Sequence, residues 1–234
     1  MKRARFVGLA TLLAVASLYA GFRIGSAPPA SLVHPLTGRP IAGIATDATW
    51  MERASRQAEE SPDRALSVIG VQPGMTVADI GAGSGYMTLR VAPLVGPTGK
   101  VYATDIQPAL LRLLQQKLGE ADVSNVEVVL GSETETGLPD NSIDIALLVD
   151  VYHEFQHPKE MLRSIRQSMK PGGQLVLIEY RKEDPAIPIA PTHRLSVVEA
   201  RAEIEAEGFT FDHLNSDLPR QHVMVFRKKA IESS

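Results

Sequence analysis

Val77-Ala78-Asp79-Ile80-Gly81-Ala82-Gly83-Ser84-Gly85-Tyr86 reads as a strand that runs straight into a glycine-rich turn and then a helix. In a sheet whose strands alternate with helices, such a turn lies at the carboxyl edge, where ligands bind. Gly81 and Gly83 lack Cβ atoms, so the backbone can turn sharply and approach a ligand closely. The helix expected after Gly85 offers unpaired N–H groups to an anionic end of a cofactor. Asp105 closes the next β-branched run, 24 residues after Gly81, where a carboxylate can accept both hydroxyls of a ribose. Together they imply a nucleoside cofactor. A nicotinamide dinucleotide is disfavoured, because its fingerprint needs a third glycine where this chain has Tyr86.

Outward from that turn, β-branched runs at 76–80, 101–105, 126–130, 143–149 and 174–180 alternate with helical stretches at 85–94, 108–118, 158–169 and 196–207. This order calls for right-handed crossovers and a mainly parallel sheet covered on both faces. Runs at 209–214 and 222–226, joined by a short turn containing Pro219, predict a terminal antiparallel pair and bring the strands to seven. Ahead of the sheet, 51–60 and 64–69 read as helices that form a lid or entry, the second behind a Ser61-Pro62-Asp63 start signal.

The series in order carries more than the turn alone: the stretch 77–86, Thr104-Asp105-Ile106, Gly131-Ser132-Glu133, Leu138-Pro139-Asp140-Asn141-Ser142-Ile143-Asp144 and Lys170-Pro171-Gly172-Gly173. Together they resemble the class I, S-adenosylmethionine-dependent methyltransferases, particularly the small-molecule branch that includes the ubiquinone and menaquinone C-methyltransferases. The resemblance covers about residues 64–180. It implies an α/β, Rossmann-like fold and S-adenosylmethionine as cofactor. Asp79, Gly81, Gly83, Gly85 and Tyr86 would wall its methionine part, Asp105 would hold the ribose, and Ile106 would lie against the adenine. Many relatives carry an aspartate after the third strand's glycine, facing the adenine amino group; here Ser132 and Glu133 stand at that place. Asp150 follows the fourth strand, where relatives place a polar residue between the methionine moiety and the substrate mouth. The acceptor implied is a small molecule, with Tyr152, His153 and Glu154 as the candidate catalytic groups, acting as base or orienting the acceptor.

His153-Glu154-Phe155-Gln156-His157 also matches the zinc-protease pattern letter for letter. That pattern works only on a helix, where histidines four apart share a metal. Here it follows a hydrophobic strand directly, and Pro158 suits the first turn of a new helix, so no metal is assigned and a zinc hydrolase stays a minor alternative. Another is a membrane-tethered binding module that keeps the fold without turnover. Arg181, just past the fifth strand, could bind an anionic substrate or pair with Glu183 or Asp184; His193 and His222 read as isolated, structural histidines. Trp50, the single tryptophan, could close the pocket or anchor the first helix.

The chain has 234 residues, 44% hydrophobic and 22% charged, the balance of one globular domain with an extension. Four of its 24 basic residues, Lys2, Arg3, Arg5 and Arg23, and none of its 27 acidic ones fall within residues 1–27, leaving the body at a net charge of about −7. An acidic body repels phosphate backbones, which argues against nucleic-acid partners. With no cysteine, disulfides, thiolate metal sites and the thiols of arsenic-methylating relatives are excluded. Basic residues 1–5 precede an uninterrupted apolar run at 6–22, long enough at about 1.5 Å per residue to approach the roughly 30 Å of hydrocarbon in a bilayer. Residues 1–27 therefore read as a signal peptide or membrane anchor, 28–49 as a linker and 50–234 as the domain. The positive flank puts the body across the membrane, a periplasmic or otherwise extracytoplasmic placement.

Overall fold

The computed structural model describes residues 32–229, so the apolar run at 6–22 lies outside the described residues. Among the described residues no helix is long and apolar enough to cross a membrane. Seven strands form one sheet: β1 (Thr76–Ile80), β2 (Lys100–Asp105), β3 (Val126–Leu130), β4 (Ile143–Val149), β5 (Met169–Tyr180), β6 (Phe209–Asn215) and β7 (Gln221–Lys228). Their order is β3-β2-β1-β4-β5-β7-β6, parallel except where β7 pairs antiparallel with β5 and β6. The chain winds one way from β1 through β3 and the other way from β4, so the carboxyl ends of β1 and β4 border the crevice at which such sheets bind ligands. β1, β4 and the second half of β5, from Leu175, are mostly apolar and buried because both faces are covered there. One core layer gathers Leu162, Ile165, Ile204 and Phe226; the other gathers Leu66, Val91, Val176 and Val225.

The helices are α1 (Ala48–Met51), α2 (Arg56–Glu60), α3 (Pro62–Ile69), α4 (Thr88–Val95), α5 (Pro108–Glu120), α6 (Pro158–Ser168) and α7 (Val197–Glu205). Three elements depart from expectation by more than two residues. The helix expected over 51–60 is broken into α1 and α2, because Arg53 and Arg56 turn their guanidinium groups back onto the carbonyls of Trp50 and Met51. The helix after the glycine turn starts at Thr88 rather than at 85, since Gly85 sits at φ +90°, outside the helical region. β5 begins five residues early, at Met169, with an irregularity in its pairing to β4 that accommodates Pro171, Gly172 and Gly173.

Residues 32–46, which composition reads as linker, are laid on the body and send a side chain inside it. Arg39, buried, donates from Nε and Nη2 to the two carboxylate oxygens of Glu203 on α7, at 3.1 and 2.9 Å. Its Nη1 donates to the His153 carbonyl at 3.3 Å, and the Ala42 amide donates to the same carbonyl at 3.0 Å. The segment thus reaches the loop after β4. Glu203→Ala leaves the Arg39 charge buried and unpartnered, so denaturant unfolding should show a loss of about 3–5 kcal/mol. Arg39→Met combined with Glu203→Leu should cost far less, because no charge is left stranded.

Candidate active site

A cavity of about 400 Å³ opens at the carboxyl ends of β1, β2 and β4. Its floor is the glycine turn. Gly81 holds φ +73°, and a Cβ there would meet Val151 Cγ2 at 2.4 Å; at Gly83, φ +54°, a Cβ would meet Met51 Sδ at 2.9 Å. Both glycines line the cavity, whereas Gly85 does not: a Cβ there would meet Leu114 Cδ1 on α5 at 2.3 Å. Gly85 therefore serves close helix packing rather than ligand contact, a correction to its expected place in the wall.

Asp105 is fixed by two backbone donors, the Gly83 amide to Oδ2 at 2.9 Å and the Gln107 amide to Oδ1 at 2.8 Å. These bonds orient the carboxylate, and each oxygen keeps lone-pair capacity for a hydroxyl from the cavity. Asp79 is buried at the end of β1 and accepts from Thr88 Oγ1 at 2.6 Å. Burial pushes its carboxyl up to about 6; the Thr88 bond and Arg56 oppose this, and Asp105 adds to it. Ile106, Ser132, Glu133 and Tyr86 also border the cavity. Ser132 Oγ accepts from the Thr134 and Glu135 amides at 3.3 and 3.0 Å, so it shapes its own turn and keeps only its proton to offer elsewhere.

A charged network walls the side nearest α2. Glu60 accepts from Arg53 and Arg56, each at 2.6 Å, and from the Tyr180 hydroxyl at 2.7 Å. Arg56 stacks over the Tyr86 ring, 4.1 Å from its centroid, and lies 3.9 Å from Asp150. Asp150 accepts from Gln221 Nε2 at 2.8 and 2.9 Å. Burial, with the Glu60 and Glu179 carboxylates adding, holds Asp150 well above the usual carboxylate range. Trp50 borders the cavity, half-exposed, under the Arg53 guanidinium.

The opposite end holds His153 and Glu154 on a short 3-10 turn, Tyr152–Glu154. His153 is buried, with Nδ1 2.6 Å from Glu179 Oε2 and Nε2 3.1 Å from Nδ1 of His193. Burial opposes a charge on His153, but the Glu179 carboxylate outweighs it and raises the imidazole's pKa. Glu154 is pushed up to about 7, chiefly by burial, with His153 pulling the other way. Burial and the neighbouring His153 lower His193.

Two expectations, for Tyr152 and Arg181, are corrected here, and the rejection of the zinc-protease reading is upheld. Tyr152 points away from the cavity into the core, fully buried, with Arg39 over its ring, so it cannot touch a substrate. His157 precedes α6, which starts at Pro158, and lies half-exposed 3.5 Å from Glu133, so the two histidines of the protease-like string do not converge and the zinc hydrolase built on them falls. Arg181 neither enters the cavity nor pairs with an acid among the described residues; it donates to the carbonyls of Leu218, Pro219 and Gln221 and clamps the turn between β6 and β7. His193 is the residue that sequence reasoning missed, since it stands on a separate turn 40 positions from His153, and only the convergence of chain ends at the sheet's carboxyl edge brings the two together. His222 is isolated from this cluster, bonded to Ser216 and Glu183.

A family model described as a methyltransferase domain matches residues 78–177. The ubiquinone/menaquinone biosynthesis C-methyltransferase of Ectopseudomonas mendocina is 34% identical over 118 residues, covering 50% of this chain and 46% of that protein. The same enzyme of Pseudomonas fluorescens is 35% identical over 124 residues, 53% of this chain and 48% of its own length. The match thus spans about half the length of these curated relatives. Among solved structures, an S-adenosylmethionine-dependent methyltransferase from Aquifex aeolicus superposes with a TM-score of 0.73 at 27% identity, over 77% of this chain and 96% of that one. The [4+2]-cyclase SpnF shares the fold, with a TM-score of 0.63 at 18% identity, over 82% of this chain and 86% of its own. Gly81 and Gly83 let the turn pack against Val151 and Met51 while lining the cavity, and the fixed Asp105 carboxylate borders the same cavity; a hydroxyl-bearing ligand such as a nucleoside fits this lining. With its sheet order, its turn and these matches, the chain has the class I methyltransferase fold and is similar to the S-adenosylmethionine-dependent methyltransferases that share it.

Proposed function

We propose that this chain transfers a methyl group from S-adenosylmethionine to a small-molecule acceptor. The observation that carries this reading is the Gly81–Gly83 turn closed onto Asp105, an intact nucleoside cradle at the switch point of the sheet. When bound, the cofactor supplies an electrophilic methyl on a sulfonium, whose departure leaves a neutral thioether. Little covalent work falls to the protein, which aligns two reactants and excludes water. Asp79 and Asp105 serve the donor end, and His153, Glu154 and His193 form the polar acceptor end about the same cavity. Glu179 holds His153 by its Nδ1 edge, so Nε2 is presented toward that acceptor end.

The same reading extends to placement: the basic flank and apolar run at 1–22 support an exported or anchored body, which fractionation of cells producing the whole chain tests directly. Recovery with the cytoplasmic fraction alone would overturn that placement.

Calorimetric titration of the full chain with S-adenosylmethionine and S-adenosylhomocysteine should give micromolar binding, about −8 kcal/mol. Gly83→Val, whose side chain would strain the φ +54° turn and press on Met51, should abolish binding, and Asp105→Ala should weaken it by about tenfold or more, the worth of one to two hydrogen bonds to a charged group. No binding by folded protein would sink the methyltransferase reading. Binding without transfer to any of a broad panel of acceptors would leave a non-catalytic module.

Binding should also depend on pH through Asp79. A cationic ligand beside it favours the carboxylate, so the bound form has the lower pKa and binding expels the proton that the free protein holds below about 6. Affinity is therefore full above that pH and falls as pH drops through it, by about tenfold at pH 5 relative to pH 7. Titrations at the two values check this; a constant Kd would mean that Asp79 does not sense the ligand's charge.

A further inference from the structure

We infer that His153, Glu154 and His193 form a divalent-cation site of the four-coordinate zinc class, whose open position takes an ionisable oxygen of the acceptor. The three ligand atoms face one another across a triangle. His153 Nε2 to His193 Nδ1 is 3.1 Å, His153 Nε2 to Glu154 Oε1 is 3.8 Å, and His193 Nδ1 to Glu154 Oε1 is 3.9 Å. Metal–ligand bonds of about 2.0–2.2 Å at tetrahedral angles place neighbouring donors roughly 3.3–3.5 Å apart, within the span of these edges. A proton shared between the imidazoles accounts for the shortest edge. It does not account for Glu154 Oε1, which stands beyond hydrogen-bond reach of both nitrogens yet is turned toward them.

Each of the two buried ligands is aimed by a second group. Glu179, fully buried, takes the Nδ1 edge of His153 at 2.6 Å, the carboxylate–imidazole pairing that orients metal-bound histidines. The Ala45 amide donates to Glu154 Oε2 at 3.1 Å, which leaves Oε1 to the triangle. Two imidazole nitrogens and one carboxylate are the donor set of zinc sites that keep a position open, and all three residues border the cavity, so that position faces the acceptor end. A cation there lowers the pKa of an oxygen bound to it, and the hydroxyl proton leaves to solvent. The acceptor class is then a small molecule with an enol, phenol or hydroxamate-like oxygen. The identity of the occupant rests on the transferase reading; the cation site does not.

The full-length chain, stripped with a chelator, should be titrated with Zn²⁺ by calorimetry and with Co²⁺ by visible absorption. One Zn²⁺ per chain and a tetrahedral Co²⁺ spectrum are expected, and acetohydroxamic acid should shift that spectrum by entering the open position. His193→Ala, on a half-exposed turn, and Glu154→Gln should each weaken Zn²⁺ binding by about 100-fold or more, whereas His157→Ala should bind as the parent does. Titration of every variant with S-adenosylhomocysteine reports its folding and tests the transferase reading separately. Protein that binds the nucleoside but no Zn²⁺ overturns the cation site, as do equal losses in His157→Ala and His193→Ala; a Co²⁺ spectrum indifferent to acetohydroxamic acid overturns the open position. Zn²⁺ bound at one per chain, lost in His193→Ala, by protein that ignores the nucleoside would uphold the site while sinking the transferase reading.

Discussion

The hydrogen bond from the Gly83 amide to Asp105 Oδ2, 2.9 Å long, ties the turn after β1 to the end of β2 and holds the cavity floor in one shape. It exists only because the turn can place that amide beside β2. Gly81 and Gly83 sit at positive φ, and Val151 and Met51 occupy the volume that Cβ atoms would need. Gly85 then lets α4 and α5 close on one another through Leu114. Three glycines so near in sequence answer to three different neighbours. A side chain at any of them would disturb a different contact: the loop after β4, the entry segment, or the helix layer.

The entry segment is as much a part of the site as the sheet. Residues 32–46 are fastened by the Arg39–Glu203 pair and touch the acceptor-end loop through the His153 carbonyl and the Glu154 carboxylate. Arg53, ahead of α2, and Arg56, on α2, then turn inward to Glu60, which the Tyr180 hydroxyl also meets at the end of β5. Buried charge is tolerated here because each group is answered by more than one partner. The chain's described N-terminal portion thereby touches both ends of the cavity.

The fold was legible because its signals are local and periodic. A β-branched run, a glycine turn and a helix repeat often enough to fix a parallel sheet, and the run at 209–214 with its partner at 222–226 reads as the antiparallel edge that closes it. The lining of the cavity at the carboxyl edge was legible for the same reason, since Asp79, Gly81, Gly83, Asp105 and Ile106 lie at strand ends whose positions the pattern already fixes. The end that holds His153 and Glu154 was not. Tyr152 and His153 are adjacent in sequence, but the short turn that carries them sends one ring into the core and the other to the cavity. No periodicity announces which goes where. The burial of Arg39 was hidden likewise, because its partner Glu203 lies on a helix more than 160 residues away.

The string His153-Glu154-Phe155-Gln156-His157 shows why a motif is a statement about geometry before it is one about letters. Its chemistry needs one helical turn between the histidines, and the chain denies it that turn with a 3-10 segment ending at Glu154 and a new helix opening at Pro158. The same break frees His153 and Glu154 to face the cavity, where a different histidine, His193, meets them from the loop after β5. The fold itself does not choose the reaction, since a cyclase shares it with methyltransferases. The glycine turn and Asp105 come with the superposed sheet; the end that holds His153, Glu154 and His193 is assembled from loops that the sheet positions but does not dictate. The polar side chains at this end of the cavity therefore stand on two short turns, Tyr152–Glu154 and Pro191–His193, with the buried Glu179 fixing one of them in place.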